Sequence, residues 1–172
     1  MRLTSVLLPH MRLLASEENL PRVACFSPRP GEVLVAFATH HGPAQEWDGV
    51  KLGARDIVAL RPGECLQHRT CGVAHWSALA MPLKYLARYG KALTGTRRFP
   101  PPSRRILRSS LFHKHQLSSL HARACRLASA RPEVIAHREA ARSLEQEVLL
   151  AIVDCFTASD PPAQLDTPGC SV

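Results

Sequence analysis

The sequence predicts an α+β protein, in which a β-sandwich or small barrel is followed by an antiparallel helical hairpin. Three observations lead to this fold class. Short apolar runs separated by Pro-Gly and Asp-Gly turns fill the first eighty residues, which is typical of strands. The strand pattern ends at Met81-Pro82. Pro82 there predicts the start of a helix, since proline fits the first turn. Apolar residues then recur three and four positions apart, which is the helical period.

Strand signals place a β domain in residues 1–81. The candidate strands are 6–8, 23–26, 33–38, 57–60 and 75–80. Pro30-Gly31 and Pro62-Gly63 suit type II turns, since proline fixes φ and glycine accepts a positive φ. Asp48-Gly49 lies between two apolar residues and predicts a two-residue hairpin. Short strands at this spacing favour a sandwich or a small barrel.

Helical patterns cover residues 82–157. A first helix begins at Pro82 and ends at Gly95, and the proline-rich segment 97–108 indicates an extended linker. Two longer helices follow, one up to Ala130 and one from Pro132 onward. So short a turn makes these two helices antiparallel. Residues 158–172 hold several prolines and few apolar residues, and we expect them to form a disordered tail.

Both long helices carry an apolar stripe that has to be covered. The stripes can pack on each other, on the β domain or on a second chain, and the first two possibilities need no partner. Pairing between chains is the functional hypothesis. Its candidate interface residues are Leu117, Leu120, Leu127, Leu144, Val148 and Ile152.

The charge distribution is strongly one-sided. The net charge is +8, and no Asp or Glu occurs between Cys65 and Pro132. Such a field attracts anions, nucleic acid or an acidic partner, although a solvated loop and helix face is the favoured explanation. The arginine cluster consists of Arg97, Arg98, Arg104, Arg105 and Arg108. It lacks base-reading elements, so a basic nucleic-acid-binding protein is kept as an alternative only.

Cysteine usage and hydropathy bear on the compartment. None of the six cysteines forms a C-x-x-C pair, so zinc-ribbon and redox motifs have no support. We find no convincing signal peptide and no apolar run long enough for a membrane span. We therefore expect a cytoplasmic protein with reduced thiols and no membrane partner.

Four side chains of the β domain are candidate ligand contacts: Phe37, Trp47, His68 and Trp76. If 65–69 and 75–80 form a hairpin, symmetric pairing puts His68 opposite Trp76. An aromatic face beside a hydrogen-bonding group is what a small-ligand pocket requires. An ordinary cross-strand pair without a ligand is equally compatible with this pattern.

A metal-dependent enzyme is the main alternative function. His41, Glu46 and His68 would form an open two-histidine, one-carboxylate set if their strands were neighbours. The spacing of His41, Glu46 and Gly53 partly follows the first metal motif of the cupin family, but Val33 stands at that motif's leading glycine and Thr39 at its first histidine. His68 fits the histidine of the second motif only loosely. No G-x-S-x-G, Walker A or G-x-G-x-x-G motif occurs. We therefore assign no catalytic residue and expect no metal and no cofactor.

Several segments follow one another in a recognisable order. They are Lys51 to Val58, Arg61 to Glu64, His68 to Gly72, His75-Trp76, Leu86 to Gly95 and Ala136 to Glu147. This order resembles the sensor domain of AraC-type transcriptional regulators over about Met1 to Phe156. The resemblance implies a cupin-like β domain that senses a small-molecule effector and a helical segment for dimerisation.

The AraC family also has a carboxy-terminal DNA-binding domain of two helix-turn-helix units. Only sixteen residues follow Phe156, and none shows that pattern, so we expect no direct sequence-specific contact with DNA. The expectation is the sensing and dimerisation portion of a regulator, truncated before its DNA-binding domain. Truncation of a gene product and a natural stand-alone sensor are both compatible with the sequence. Such a chain would form a homodimer or a heterodimer with a full-length relative.

Overall fold

Two antiparallel β-sheets and a helical layer build the chain, according to a computed structural model that describes residues 1–39, 45–96, 99–101 and 106–159. The strands are β1 (Arg2–Leu7), β2 (Arg12–Glu18), β3 (Arg22–Phe26), β4 (Glu32–Ala38), β5 (Glu46–Trp47), β6 (Val50–Lys51), β7 (Asp56–Leu60), β8 (Leu66–Thr70), β9 (Ala74–Pro82) and β10 (Ile106–Arg108). The helices are α1 (Leu83–Thr94), α2 (Leu111–Ala130), α3 (Pro132–Ala136) and α4 (Arg138–Thr157). The larger sheet has the order β1-β2-β9-β4-β7-β10, and the smaller has the order β3-β8-β5-β6.

The larger sheet lies in the middle of the molecule. Val35 and Phe37 of β4 belong to a core that also contains the apolar side chains of the helices. Leu34 and Ala36, which alternate with them, belong to a second core shared with the smaller sheet. Successive strand residues point to opposite faces, so both faces of β4 are covered. This explains why the predicted strand 33–38 is apolar at every position.

Turn chemistry fixes the ends of several elements as predicted. Asp48 and Gly49 both have positive φ, 48° and 77°, which is the type I′ geometry of a tight hairpin. They join β5 to β6, and Glu46 pairs with Lys51 there. Gly95 ends α1 in the left-handed conformation and donates its N–H to the carbonyl of Lys91. The predicted end of the first helix is therefore confirmed.

Two strands fall outside the prediction. β2 pairs with β9 along its whole length and with β1 from Arg12 to Glu17, yet its buried residues include Ser16 and Glu18. Buried polar residues hide the apolar alternation by which a strand is recognised. β10 lies in the predicted linker and pairs with β7, so strand structure continues beyond residue 81.

The helical hairpin forms, but with a break. α2 and α4 pack against each other and are joined by the short α3. His137 has extended backbone angles, so the predicted helix from Pro132 onward is two helices rather than one. The predicted tail lies almost entirely outside the described residues, which end at Ser159.

The apolar stripes of α2 and α4 are covered within the chain, which corrects the predicted dimer interface. The stripe residues Leu117, Leu144, Val148 and Ile152 are buried in the core between the helices and the larger sheet. Leu120 packs against the same core, and Leu127 is half-buried. Since the four buried side chains and Leu120 already have intramolecular partners, they offer no free surface to a second chain.

One pair of cysteines departs from the expectation of reduced thiols. Cys25 of β3 and Cys65, next to β8, form a disulfide. β3 and β8 are neighbouring strands, and this pairing brings the two residues together. Among the described residues, Cys71, Cys125 and Cys155 are free.

Candidate functional site

The space between the two sheets holds a cluster of aromatic rings. Trp47 and His68 are directly paired across β5 and β8, with ring centroids 4.3 Å apart. Trp76 reaches the cluster from β9 of the larger sheet, and its ring stands edge-on to His68 at 6.0 Å. Three of the four predicted ligand contacts therefore meet. We call Phe26, Trp47, His68 and Trp76 the sandwich cluster.

His68 and Trp76 meet by a route other than the predicted hairpin. β8 pairs with β3 and β5, whereas β9 pairs with β2 and β4. The chain crosses from the smaller to the larger sheet between β8 and β9. The two side chains consequently face each other across the interior instead of lying side by side in one sheet.

Phe26 fills the centre of the sandwich cluster. Its ring centroid lies 5.7 Å from Trp47, 5.5 Å from His68 and 4.9 Å from Trp76. Phe26 is only half-buried and comes from the last position of β3. An aromatic ring thus occupies the place between the three side chains that the sequence singled out.

A buried carboxylate borders this cluster. Glu18 is 3% exposed and accepts hydrogen bonds from the indole N–H of Trp76 at 2.9 Å and the hydroxyl of Thr70 at 3.2 Å. The guanidinium of Arg22 lies 3.9 Å from the same carboxylate. A charged group buried at this depth needs such partners. Glu18 could not be predicted as a site residue because it belongs to β2, whose buried polar residues hide the strand pattern.

An amide orients the histidine. His68 Nε2 lies 3.1 Å from the side-chain oxygen of Gln45, and the amide nitrogen of Gln45 donates to the carbonyl of His75. Gln45 therefore presents its oxygen to the ring, so Nε2–H of His68 donates. Burial lowers the pKa of His68 to about 4, although the nearby Glu18 acts in the opposite direction. The imidazole is neutral at pH 7.

Trp47 adds an unused donor. Its indole nitrogen is buried and has no hydrogen-bond partner among the described residues. Together with the carboxylate of Glu18 and the ring faces, the site offers apolar surface, one acceptor and one free donor. Such a combination suits a small uncharged molecule with an apolar face and one or more hydroxyl groups.

Phe37, the fourth predicted ligand contact, lies elsewhere. It points from β4 toward the helices, where its ring centroid is 5.8 Å from that of His121. The ammonium of Lys114 lies 5.1 Å from the Phe37 ring and donates to the carbonyl of Ala38. Phe37 and Trp76 are on opposite faces of the larger sheet, so the two cannot contact one ligand.

The imidazole of His121 and the amine of Lys114 are buried between the helices and the larger sheet. His121 Nε2 lies 3.2 Å from the carbonyl of Ala78, and the sulfur of Cys125 lies 3.8 Å from its Nδ1. Burial lowers the pKa of His121 to about 4 and also lowers the pKa of Lys114. These groups attach α2 to the larger sheet.

The alternative metal triad does not assemble. Trp47 shares its face of the smaller sheet with His68, so the preceding Glu46 points to the other face. There the Glu46 carboxylate lies 3.8 Å from the guanidinium of Arg69. His41 lies outside the described residues. Within the part of the chain that the structure covers, no group of three His, Cys, Asp or Glu side chains is placed to hold a metal ion.

Most of the arginine cluster lies outside the described residues, namely Arg97, Arg98, Arg104 and Arg105. Arg108, on β10, has its guanidinium 3.3 Å from the carboxylate of Asp56. Its charge is therefore partly compensated within the fold. Among the described helices, none has the length and apolar character required to cross a membrane.

Comparisons with known proteins agree with this architecture. No protein-family model and no curated protein matches the sequence. The crystal structure of the AraC-like transcriptional activator CuxR matches 95% of this chain and 58% of its own, with 16% identity and a TM-score of 0.61. Apo ToxT K231A from Vibrio cholerae strain SCE256 matches 74% of this chain and 57% of its own, with 7% identity and a TM-score of 0.47. The chain thus spans less than two thirds of either protein, and the likeness to CuxR confirms the predicted fold.

Proposed function

We propose that this chain is the effector-sensing and dimerisation portion of an AraC-type transcriptional regulator and that it has no catalytic activity. The ordered sequence motifs and the fold shared with CuxR support the regulator family. The observation that carries the sensing role is the sandwich cluster, in which the half-buried Phe26 ring is surrounded by three other rings.

The effector in this proposal is a small, uncharged, ring-shaped molecule that takes the place of Phe26. The faces of Trp47 and Trp76 would hold its apolar side, and a hydroxyl group would donate to Glu18 or accept from the free indole N–H of Trp47. An anion is disfavoured, because Glu18 already places a negative charge beside the site. Binding would couple the two sheets through β3, which carries both Phe26 and the disulfide cysteine Cys25.

The experiment uses the variant Phe26→Ala with phenol as the probe. Removal of a ring that packs among other rings leaves an apolar space, and such a space can bind small aromatic molecules when it stays open. We expect phenol to raise the melting temperature of Phe26→Ala in a saturable way. Wild type should bind more weakly, since its own ring has to leave first. The matched control is Val23→Ala, because Val23 is 58% exposed on the same strand, β3.

Two results would speak against the sensing site. Phenol could fail to stabilise Phe26→Ala, or it could stabilise the Val23→Ala control to the same degree. A failure to stabilise Phe26→Ala would mean that the Phe26 ring does not occupy a space of ligand size. The second would mean that phenol acts on the protein without using the sandwich cluster.

Dimerisation needs a surface other than the buried stripes. Leu111 and Phe112 begin α2, Leu150 lies in α4, and these large apolar residues are exposed. We propose that they contribute to pairing with a second copy or a full-length relative. Sedimentation velocity at tens of micromolar should show a dimer that Phe112→Asp weakens. The control Leu20→Asp changes an equally exposed leucine in another region, and a strictly monomeric wild type would contradict the pairing role.

Contact with specific DNA sequences is not part of the proposal for this portion of the regulator. No cofactor is part of it either. A transcriptional regulator of this type works in the cytoplasm, where we place the chain. Gel-shift experiments at low salt test the absence of sequence-specific DNA contacts. Any binding should show no sequence preference and should weaken steeply with salt, because it would be electrostatic only.

A further inference from the structure

A second cleft lies on the other side of the larger sheet, where the segment before β2 meets α1 and α4. It has a volume of about 220 Å³. The lining residues used below are His10, Tyr85, Arg88, Tyr89, Arg142 and Glu145. None of them belongs to the sandwich cluster, so the cleft is a separate place in the fold.

Glu145 joins the three walls of this cleft. Its carboxylate is almost fully buried and accepts the backbone N–H of His10 at 2.6 Å and the hydroxyl of Tyr85 at 2.7 Å. The imidazole Nδ1 of His10 lies 3.0 Å from the same group. Three partners already use this negative charge, so it is not available to bind a cationic ligand.

Aromatic rings form one side of the cleft. The rings of His10 and Tyr85 stack at 4.7 Å with an angle of 17°, and Tyr85 and Tyr89 are 4.9 Å apart. The guanidinium of Arg88 lies 5.4 Å from the Tyr89 ring. Planar groups therefore already stack against one another here, as a flat ligand would.

The charges of the cleft favour a monoanion. Arg88 and Arg142 are both exposed at its rim, and the guanidinium of Arg88 lies over the rings of Tyr85 and Tyr89. The two arginines and the carboxylate of Glu145 together give the cleft a formal charge of +1. Arginine binds carboxylates through two parallel hydrogen bonds. The volume is below the usual range for drug-sized ligands, which limits the ligand to a single ring.

We propose that this cleft binds a small aromatic monocarboxylate, with its ring against the tyrosines and its carboxylate on Arg88 and Arg142. Such a ligand would touch α1, α4 and the segment before β2 at once. It would thereby strengthen the attachment of α4 to the sheet. The proposal does not depend on the nature of the effector between the two sheets.

The distribution of aromatic residues gives this proposal a clean test. The chain has two tyrosines and two tryptophans, and both tyrosines lie in the cleft while both tryptophans lie in the sandwich cluster. Benzoate is the probe, and NMR of isotope-labelled tyrosine and tryptophan rings in the whole chain is the readout. We expect saturable shifts of the tyrosine signals with unchanged tryptophan signals.

Three variants test whether the arginines of the cleft hold the carboxylate. Arg142→Gln should weaken benzoate binding about tenfold, the loss expected when one charge-assisted interaction is removed. Arg138→Gln is the matched control, since it is an exposed arginine one turn earlier on α4 that does not line the cleft. Arg88→Gln repeats the test on α1.

The proposal is overturned if benzoate leaves the tyrosine signals unchanged, or if the neutral analogue benzamide binds as tightly as benzoate. Equal weakening by Arg138→Gln and Arg142→Gln would also overturn it, because that result indicates a general charge effect. Shifts confined to the tryptophan signals would refute the cleft while leaving the sandwich site intact.

Discussion

Acid should destabilise this fold through two buried imidazoles. Burial lowers the pKa of His68 and of His121 from 6.5 to about 4. Between these pH values, the unfolded chain binds a proton at each position and the folded chain does not. The stabilisation is therefore fully present above pH 6.5 and is lost as the pH falls toward 4. Each imidazole contributes a slope of about 1.4 kcal/mol per pH unit.

The summed effect is large relative to the stability of a domain. Over the interval from 6.5 to 4, each imidazole lowers the free energy of unfolding by about 3 kcal/mol. Both together approach the total stability of many domains, which is about 5–15 kcal/mol. We therefore expect the free energy of unfolding to fall markedly toward the acid end of this range.

The substitution His121→Gln isolates one of the two groups. Glutamine retains a donor for the carbonyl of Ala78 and does not titrate. Urea unfolding at several pH values should show a loss about 3 kcal/mol smaller in His121→Gln than in wild type. The control is His115→Gln, because His115 is exposed on the same helix, and this variant should follow the wild-type curve.

One result would refute this reasoning. If His121→Gln lost as much stability as wild type on acidification, the folded chain would have to accept a proton at His121. The imidazole would then be exposed to water, and α2 would not cover the larger sheet in the way described.

Three further predictions concern other contacts. Gly90→Ala should lower the free energy of unfolding by about 1–3 kcal/mol in urea titrations, because the new methyl group would collide with the Phe99 ring. Glu18→Gln should cost about 1–3 kcal/mol in the same assay, since one of its two buried donors loses a charged acceptor. Reduction of the Cys25–Cys65 disulfide, which closes a separation of 40 residues, should lower stability by up to about 4 kcal/mol through loop entropy, as measured with and without dithiothreitol.

Each of these predictions has its own control. Ala92→Gly changes an exposed position of α1 and should cost only about 1 kcal/mol of helix propensity; a stabilising Gly90→Ala would show that the Phe99 ring can move freely. Glu17→Gln alters the exposed neighbour of Glu18 and should have little effect. If dithiothreitol leaves stability unchanged and alkylation finds both thiols free beforehand, the disulfide does not form in solution.

The strands that carry a simple pattern were predictable from sequence. The strand 33–38 was predicted because both of its faces are apolar, and the hairpin at Asp48-Gly49 because that dipeptide accepts positive φ. β2 was missed because Ser16 and Glu18 face the interior. A buried carboxylate is recognisable only once its partners on other strands are known.

The site shows the same division between local and long-range information. Trp47, His68 and Trp76 were selected by residue type, and the structure brings them together. Phe37 was selected on the same grounds and lies on the other face of the larger sheet. Face assignment depends on which sheet a strand joins, and the order of strands in two sheets is not encoded locally.

Helix periodicity identified the buried stripes but not the surface that they cover. Leu117 and Val148 have the spacing of an interface residue and equally that of a core residue. The larger sheet offers an apolar face that they can bury against, and this face removes the need for a second chain. The break at His137 carries no proline or glycine signal, so no local pattern could place it.

The most direct test of the sensing role follows the indole N–H signals of Trp47 and Trp76 in proton–nitrogen NMR while neutral ring compounds are titrated into the wild-type chain. We predict that a compound which stabilises the protein shifts both indole signals in a saturable way, because its ring enters between the two sheets. A compound that stabilises the protein and leaves both signals unchanged would contradict that location.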